Sequence, residues 1–233
     1  MSRHRSAPRI SISKLAEYIV APPGRRRTLL RDQKYPSTFI VSKFREAYPA
    51  LVDVMLHGGD VRLLDRYVAE WRGRKPSSPF EAENLQLCIE ALCAFRPRLL
   101  DGTFKKLSFE SGRSEAYLPI GGVNVSVRPD LLIPGDETGA LKFYLVKSTP
   151  LTPDLPHKPG SSSHASSMLH HWVENEFGDA DPRRCKIVDV FAGVVYTAPA
   201  RYTKRRDDAQ AACEELALVW PAIKDPRASK SAA

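Results

Sequence analysis

The sequence predicts an α+β protein, and three observations lead to that class. Apolar residues recur at helical spacing through most of residues 11–95. Continuous or alternating apolar runs with β-forming residues occupy 105–147 and 186–197. Helical spacing returns at 163–177 and 203–223.

The elements follow in order. Residues 1–9 are polar and basic without periodicity and are expected to be disordered. Ser11 or Ser13 can cap a helix through Val20, with Leu15, Tyr18 and Ile19 on one face, and Pro22-Pro23-Gly24 ends it. A second helix is expected over 25–33 and a third over 38–56, with Pro49 a kink candidate. His57-Gly58-Gly59 stops the third, and Asp60 caps a fourth that ends near Trp71. Arg72 to Ser78 reads as a linker, and a helix over 79–95 carries Pro in its first turn. Strands are expected at 105–110, 116–120, 123–133 and 140–147. After a Pro-rich loop and a serine run come the helix 163–177, the strand 186–197, the helix 203–223 and a loose tail. The expected division is a basic helical region over 1–75, a core over 79–223 and a tail over 224–233.

The 233 residues, 42% of them hydrophobic, suffice for a sizeable core without staples. No run of about 18 apolar residues is present, so no membrane span is expected, and no apolar stretch of signal-peptide type follows the basic start. A cytoplasmic location is expected. Cys88, Cys93, Cys185 and Cys213 lack zinc-site spacing and are expected to be small buried residues. The net charge of +8 is uneven. Residues 1–75 hold 16 Lys/Arg against 7 Asp/Glu, whereas the remainder holds 19 against 20. A basic front suits a polyanionic partner.

Two predicted strands carry the most informative residues. Pro129-Asp130 lies toward the end of 123–133, and Lys147 closes 140–147. With the element order helix, strands, helix, strand over roughly 79–197, these residues resemble the PD-(D/E)XK nuclease superfamily. The resemblance implies an α-β-β-β-α-β core with a mixed sheet flanked by helices. It also implies Mg²⁺ or Mn²⁺ held by strand carboxylates, with the lysine assisting an attacking water. On that reading Asp130 ligates the metal and Lys147 handles the water. The family's second acid stands two residues before the lysine, and Leu145 occupies that place here. Glu90, beside apolar Leu87, Ile89 and Leu92, is the first candidate to complete a catalytic and metal set. Glu81, Glu83, Glu174 and Glu115 follow it.

Arg25, Arg26, Arg27, Arg31 and Lys34 form the candidate nucleic-acid-binding element, since Arg27, Arg31 and Lys34 share a helix face. His170 and His171 point about 100° apart on a helix and read as polar surface rather than metal ligands. The expected function is engagement of nucleic acid, DNA in preference to RNA. Metal-dependent DNA cleavage in repair, restriction or bacterial phage defence is its sharper form. The alternatives are a catalytically inactive nuclease-fold subunit that binds or assembles with a protein partner or a second copy, and a helical adaptor without nucleic acid.

Overall fold

The protein is described by a computed structural model over residues 4–36, 43–147 and 159–225. In chain order the elements are β1 (Arg9–Ser11), α1 (Ile12–Val20), α2 (Pro23–Lys34), α3 (Ala47–Leu56), α4 (Val61–Gly73) and α5 (Pro79–Leu100). Strands β2 (Glu110–Ser111), β3 (Tyr117–Ile120), β4 (Val123–Ser126), β5 (Leu131–Ile133) and β6 (Thr138–Tyr144) follow. Then come α6 (Pro159–Phe177), β7 (Ala180–Asp189), β8 (Val194–Thr197), α7 (Tyr202–Val219) and a 3₁₀ turn, Trp220–Ala222. The α+β class is as expected.

The strands form two mixed sheets, ordered β1-β4-β3 and β2-β5-β6-β7-β8. β6 is the hinge of the larger sheet. It pairs antiparallel with β5 and parallel with β7, and α6 supplies the crossover that a parallel pair requires. Being central, β6 is covered on both faces, and its side chains divide by parity. Leu141 and Phe143 enter a core built with α3, α4 and α5. Ala140 and Tyr144 enter a second core with α1, α2, α6, α7 and the small sheet. Residues 1–75 thus contribute to both layers.

Local chemistry accounts for the helix starts. Ser11 Oγ accepts from the Lys14 amide, Asp60 Oδ1 from the Arg62 amide, and Ser78 Oγ from the Glu81 amide, each satisfying a donor that lacks a helical partner. Among the described residues, no helix is long and apolar enough to cross a membrane.

Several expectations are corrected. Arg9–Ser11 forms a parallel edge strand against β4 instead of belonging to a disordered start. The expected strand 123–133 is broken in two, and its halves lie in different sheets. The break falls at Arg128, which takes φ 48°, a left-handed conformation that no alternation pattern reveals. The expected strand 186–197 is a hairpin, turned by Asp189, whose Oδ1 accepts the Ala192 amide. The expected strand 105–110 survives only as β2, and β6 stops at Tyr144, short of Lys147. The third helix begins at Ala47, and residues 38–42 of its expected span lie outside the described residues. Of the expected tail, only 224–225 are described.

Gly139 marks a tight crossing in the sheet. Between Thr138 and Ala140 the β6–β7 register shifts, and the looped part of β7 lays Arg184 over the glycine. A Cβ at Gly139 would lie 2.6 Å from the Arg184 carbonyl oxygen, which the backbone cannot yield cheaply. Gly139→Ala is expected to cost about 1–3 kcal/mol by overpacking, read as a lower urea midpoint with an unchanged m-value.

Candidate functional site

The break between the sheets builds the most chemically unusual spot in the protein. Arg128 turns the chain out of β4, Pro129 is buried, and Asp130 stands immediately before β5. Its side chain points away from Leu131 and Ile133, on the parity that Lys142 and Tyr144 share on β6. Asp130 Oδ2 accepts the Phe143 amide at 2.7 Å, while the Asp130 amide donates to the Leu141 carbonyl at 2.9 Å. A carboxylate therefore does the work of a backbone carbonyl where the β5–β6 ladder ends.

Asp130 and Lys142 lie deep among protein atoms yet keep partial solvent access. Burial raises the Asp130 pKa, and the Lys142 charge and the Phe143 amide oppose that rise. Burial lowers the Lys142 pKa, and Asp130 opposes that fall while Arg128 adds to it. Lys142 Nζ also donates to the Arg128 carbonyl at 2.5 Å. Two phenols feel the same carboxylate. Tyr48, from α3, is pushed up to about 12 by burial and by Asp130, and it hydrogen-bonds the Leu145 backbone. Tyr144 is pushed higher still by burial, against a hydrogen bond with Ser13. Both therefore stay protonated hydroxyls at neutral pH.

The sequence-predicted catalytic residues divide. Asp130 stands at the sheet break near Lys142, whereas Lys147, beyond β6, is exposed and reaches across to Glu90 at 2.6 Å. That ion pair, with Gln86 also donating to Glu90, holds Glu90 below the usual carboxylate range. Lys142 is thus the lysine beside Asp130, and Leu145 is buried in the α3–α5 core. Glu174 pairs with Arg206 at 2.6 Å, Glu81 accepts from Ser77, and Glu83 faces Lys43 at 4.0 Å. Among the described residues, no three His, Cys, Asp or Glu side chains gather as a metal group. The Asp130 surroundings do not suit a divalent ion, because one carboxylate oxygen is committed to an amide and the charged neighbour is a cation.

Sequence reasoning missed Lys142, Tyr48 and Tyr144. A lysine inside the apolar run Ala140-Leu141-Lys142-Phe143-Tyr144-Leu145 is the available signal for the first. His170 is not surface: it is buried, donating from Nε2 toward the Ala180 carbonyl and accepting from Arg206 at Nδ1. Cys93 is exposed, unlike the other three cysteines.

The basic element is helical, as expected, but its five cations have different fates. Lys34 is buried, and its ammonium donates to the carbonyls of Trp220, Pro221 and Ile223 at 2.7, 3.3 and 3.0 Å. It closes the C-terminal turn and has no face to offer a ligand. Arg25 is bonded to Glu17, and Arg26 donates to the Ile19 and Ala21 carbonyls at the end of α1. Arg27 and Arg31 remain exposed, one turn apart. With Tyr18, Arg26, Glu215 and Lys224 they line a groove of about 610 Å³.

No known protein family matches the chain, and no curated protein does.

Two outcomes follow from this geometry. Lys142→Met leaves Asp130 without its counter-charge, so the carboxyl pKa should rise further above its ordinary value. A group with a raised folded-state pKa favours the fold below its unfolded pKa and loses that contribution as pH rises through the folded one. Denaturation of Lys142→Met should therefore show a loss of about 1–3 kcal/mol near pH 7, below that of a fully buried pair because both groups meet some solvent. The loss should shrink toward about pH 4, and a pH-independent loss would rule out Asp130 as the cause. Lys34→Met keeps the apolar stem but strands three carbonyls, and should cost about 1–3 kcal/mol in urea denaturation while leaving nucleic-acid affinity unchanged.

Proposed function

We propose that this protein binds DNA through its sugar–phosphate backbone, on a PD-(D/E)XK-like core that serves as a binding scaffold. The observation that carries the reading is the groove along α2. Arg27 and Arg31 are exposed there, Lys224 stands opposite, and among the described residues Glu215 is the only acid in the lining. Such a surface attracts a polyanion without reading bases.

The core reading is supported by the arrangement of the larger sheet. Helix α5 precedes the antiparallel strands β2, β5 and β6, and a crossover through α6 leads to the parallel strand β7. The β3–β4 hairpin is inserted between β2 and β5, and β1, from the N-terminal region, pairs with it to complete the small sheet. The juxtaposition of Asp130 and Lys142 further supports descent from a nuclease, while the lack of a fitting acid among the described residues favours binding over cleavage.

Fluorescence anisotropy with a labelled duplex should give binding that weakens steeply with salt, with a slope near 0.9 per phosphate contact on log–log axes. Arg27→Ala/Arg31→Ala should lower affinity several-fold and reduce that slope. In parallel, plasmid DNA should stay intact with Mg²⁺ or Mn²⁺. Nicking that disappears in Asp130→Ala would replace the binding scaffold with a working nuclease, and absence of DNA binding at low salt would remove the proposal.

A further inference from the structure

A second cationic feature lies outside the α2 groove. Arg9, on β1, donates from Nη2 to the Tyr117 hydroxyl at 2.9 Å, and its guanidinium lies 5.0 Å from the centre of the same ring. Arg128, at the sheet break two residues beyond Ser126, is near enough to the same hydroxyl to help lower its pKa. Strand register explains the meeting. Arg9 pairs with Asn124 and Tyr117 with Ser126, so residues from both edges of the small sheet flank β4, two positions before Arg128. Arg5 lies nearby, its guanidinium donating to Gln33 Oε1 at 3.5 Å; burial lowers its pKa, and the charges of Arg9 and Arg128 add to that.

The chain holds these groups in place. The Arg5 amide donates to the Lys34 carbonyl at 3.0 Å, and Trp220 Nε1 donates to the Arg5 carbonyl at 3.3 Å. Arg128 keeps a left-handed conformation, disfavoured for a residue with a Cβ, while its carbonyl receives Lys142. Two guanidinium groups, those of Arg9 and Arg128, thus stand beside one phenol with Arg5 nearby, and none of the three makes an ion pair among the described residues. Glu115 is the one acid whose charge reaches Tyr117, and it pairs with none of the three. Like charges brought together without a counter-ion cost free energy, and an anion offering several acceptor oxygens relieves that cost.

We infer that Arg9 and Arg128, beside the Tyr117 hydroxyl, with Arg5 nearby, form a phosphate-binding site that takes a phosphodiester of the bound DNA at the break between the two sheets. The inference rests on the DNA-binding reading, and it adds a contact that does not involve α2. Guanidinium forks suit phosphate oxygens, and the Tyr117 ring keeps the Arg9 fork from collapsing onto the surface.

The test compares wild type, Arg9→Gln/Arg128→Asn and Arg27→Ala/Arg31→Ala on a labelled duplex across a salt series. Asn tolerates the left-handed conformation at 128, and Gln preserves bulk beside Tyr117. At about 100 mM salt the Arg9/Arg128 variant should bind at least about tenfold more weakly, with a slope reduced by roughly two phosphate contacts. Its thermal midpoint should match wild type. If it melts early, Arg5→Gln alone is read instead, with a slope reduced by about one contact expected. Wild-type binding with an unchanged affinity and slope in the cluster variants overturns this site and leaves the α2 reading intact. No binding by wild type overturns both.

Discussion

The fold depends on β6 being buried on both faces while it carries a lysine. A central strand that pairs with β5 on one side and β7 on the other has no edge to expose, so Lys142, half-buried, is answered by groups on its own face. It finds Asp130 and the Arg128 carbonyl, and both come from the segment that joins the two sheets. The same carboxylate closes the β5–β6 ladder by accepting the Phe143 amide. The break between sheets, the end of the hairpin and the burial of a charge pair are therefore one arrangement. A purely apolar β6 would pack as well or better, so Lys142 carries a desolvation cost that Asp130 and the Arg128 carbonyl offset only in part.

Cations are distributed according to what the fold leaves unanswered. Lys34 satisfies three carbonyls of the final turn, and Arg26 satisfies two at the end of α1. These positive charges replace absent helical donors, and nothing external can claim them without undoing the packing. Arg27 and Arg31, on the outer face of α2, do no such structural work. Nor does the guanidinium pair about Tyr117 satisfy any backbone carbonyl among the described bonds. Part of the charge excess in the first 75 residues is thus spent on structure, and Arg27 and Arg31 on α2 and Arg9 on β1 lie in different parts of the fold.

Much of the architecture was legible in the sequence because it is local. Periodicity finds the helices, and the caps at Ser11, Asp60 and Ser78 obey short-range chemistry. Parity within β5 also puts Asp130 on the side away from Leu131 and Ile133. What was not legible is what distant partners decide. Nothing near Arg9 announces that it will pair with β4, more than a hundred residues away. The positive φ of Arg128 has no glycine to mark it, so an apparently continuous strand conceals a change of sheet.

The choice between Lys142 and Lys147 shows how such an error travels. A motif spacing counts residues along the chain, but a site is fixed by which residues stand across a ladder from each other. Leu131 pairs with Leu141, so the residue before Leu131 faces the residue after Leu141, and Asp130 meets Lys142 by register alone. Lys147 lies three residues past the end of β6, where no pairing constrains it, and it turns to Glu90 instead. Moving the lysine inward by five residues changes its chemistry. At the end of the strand it would be a solvated cation free to hold water near a metal. Inside, it is a partly desolvated counter-ion that competes with a divalent cation for Asp130. The register therefore makes Lys142 a counter-charge for Asp130 and leaves Lys147 to pair with Glu90.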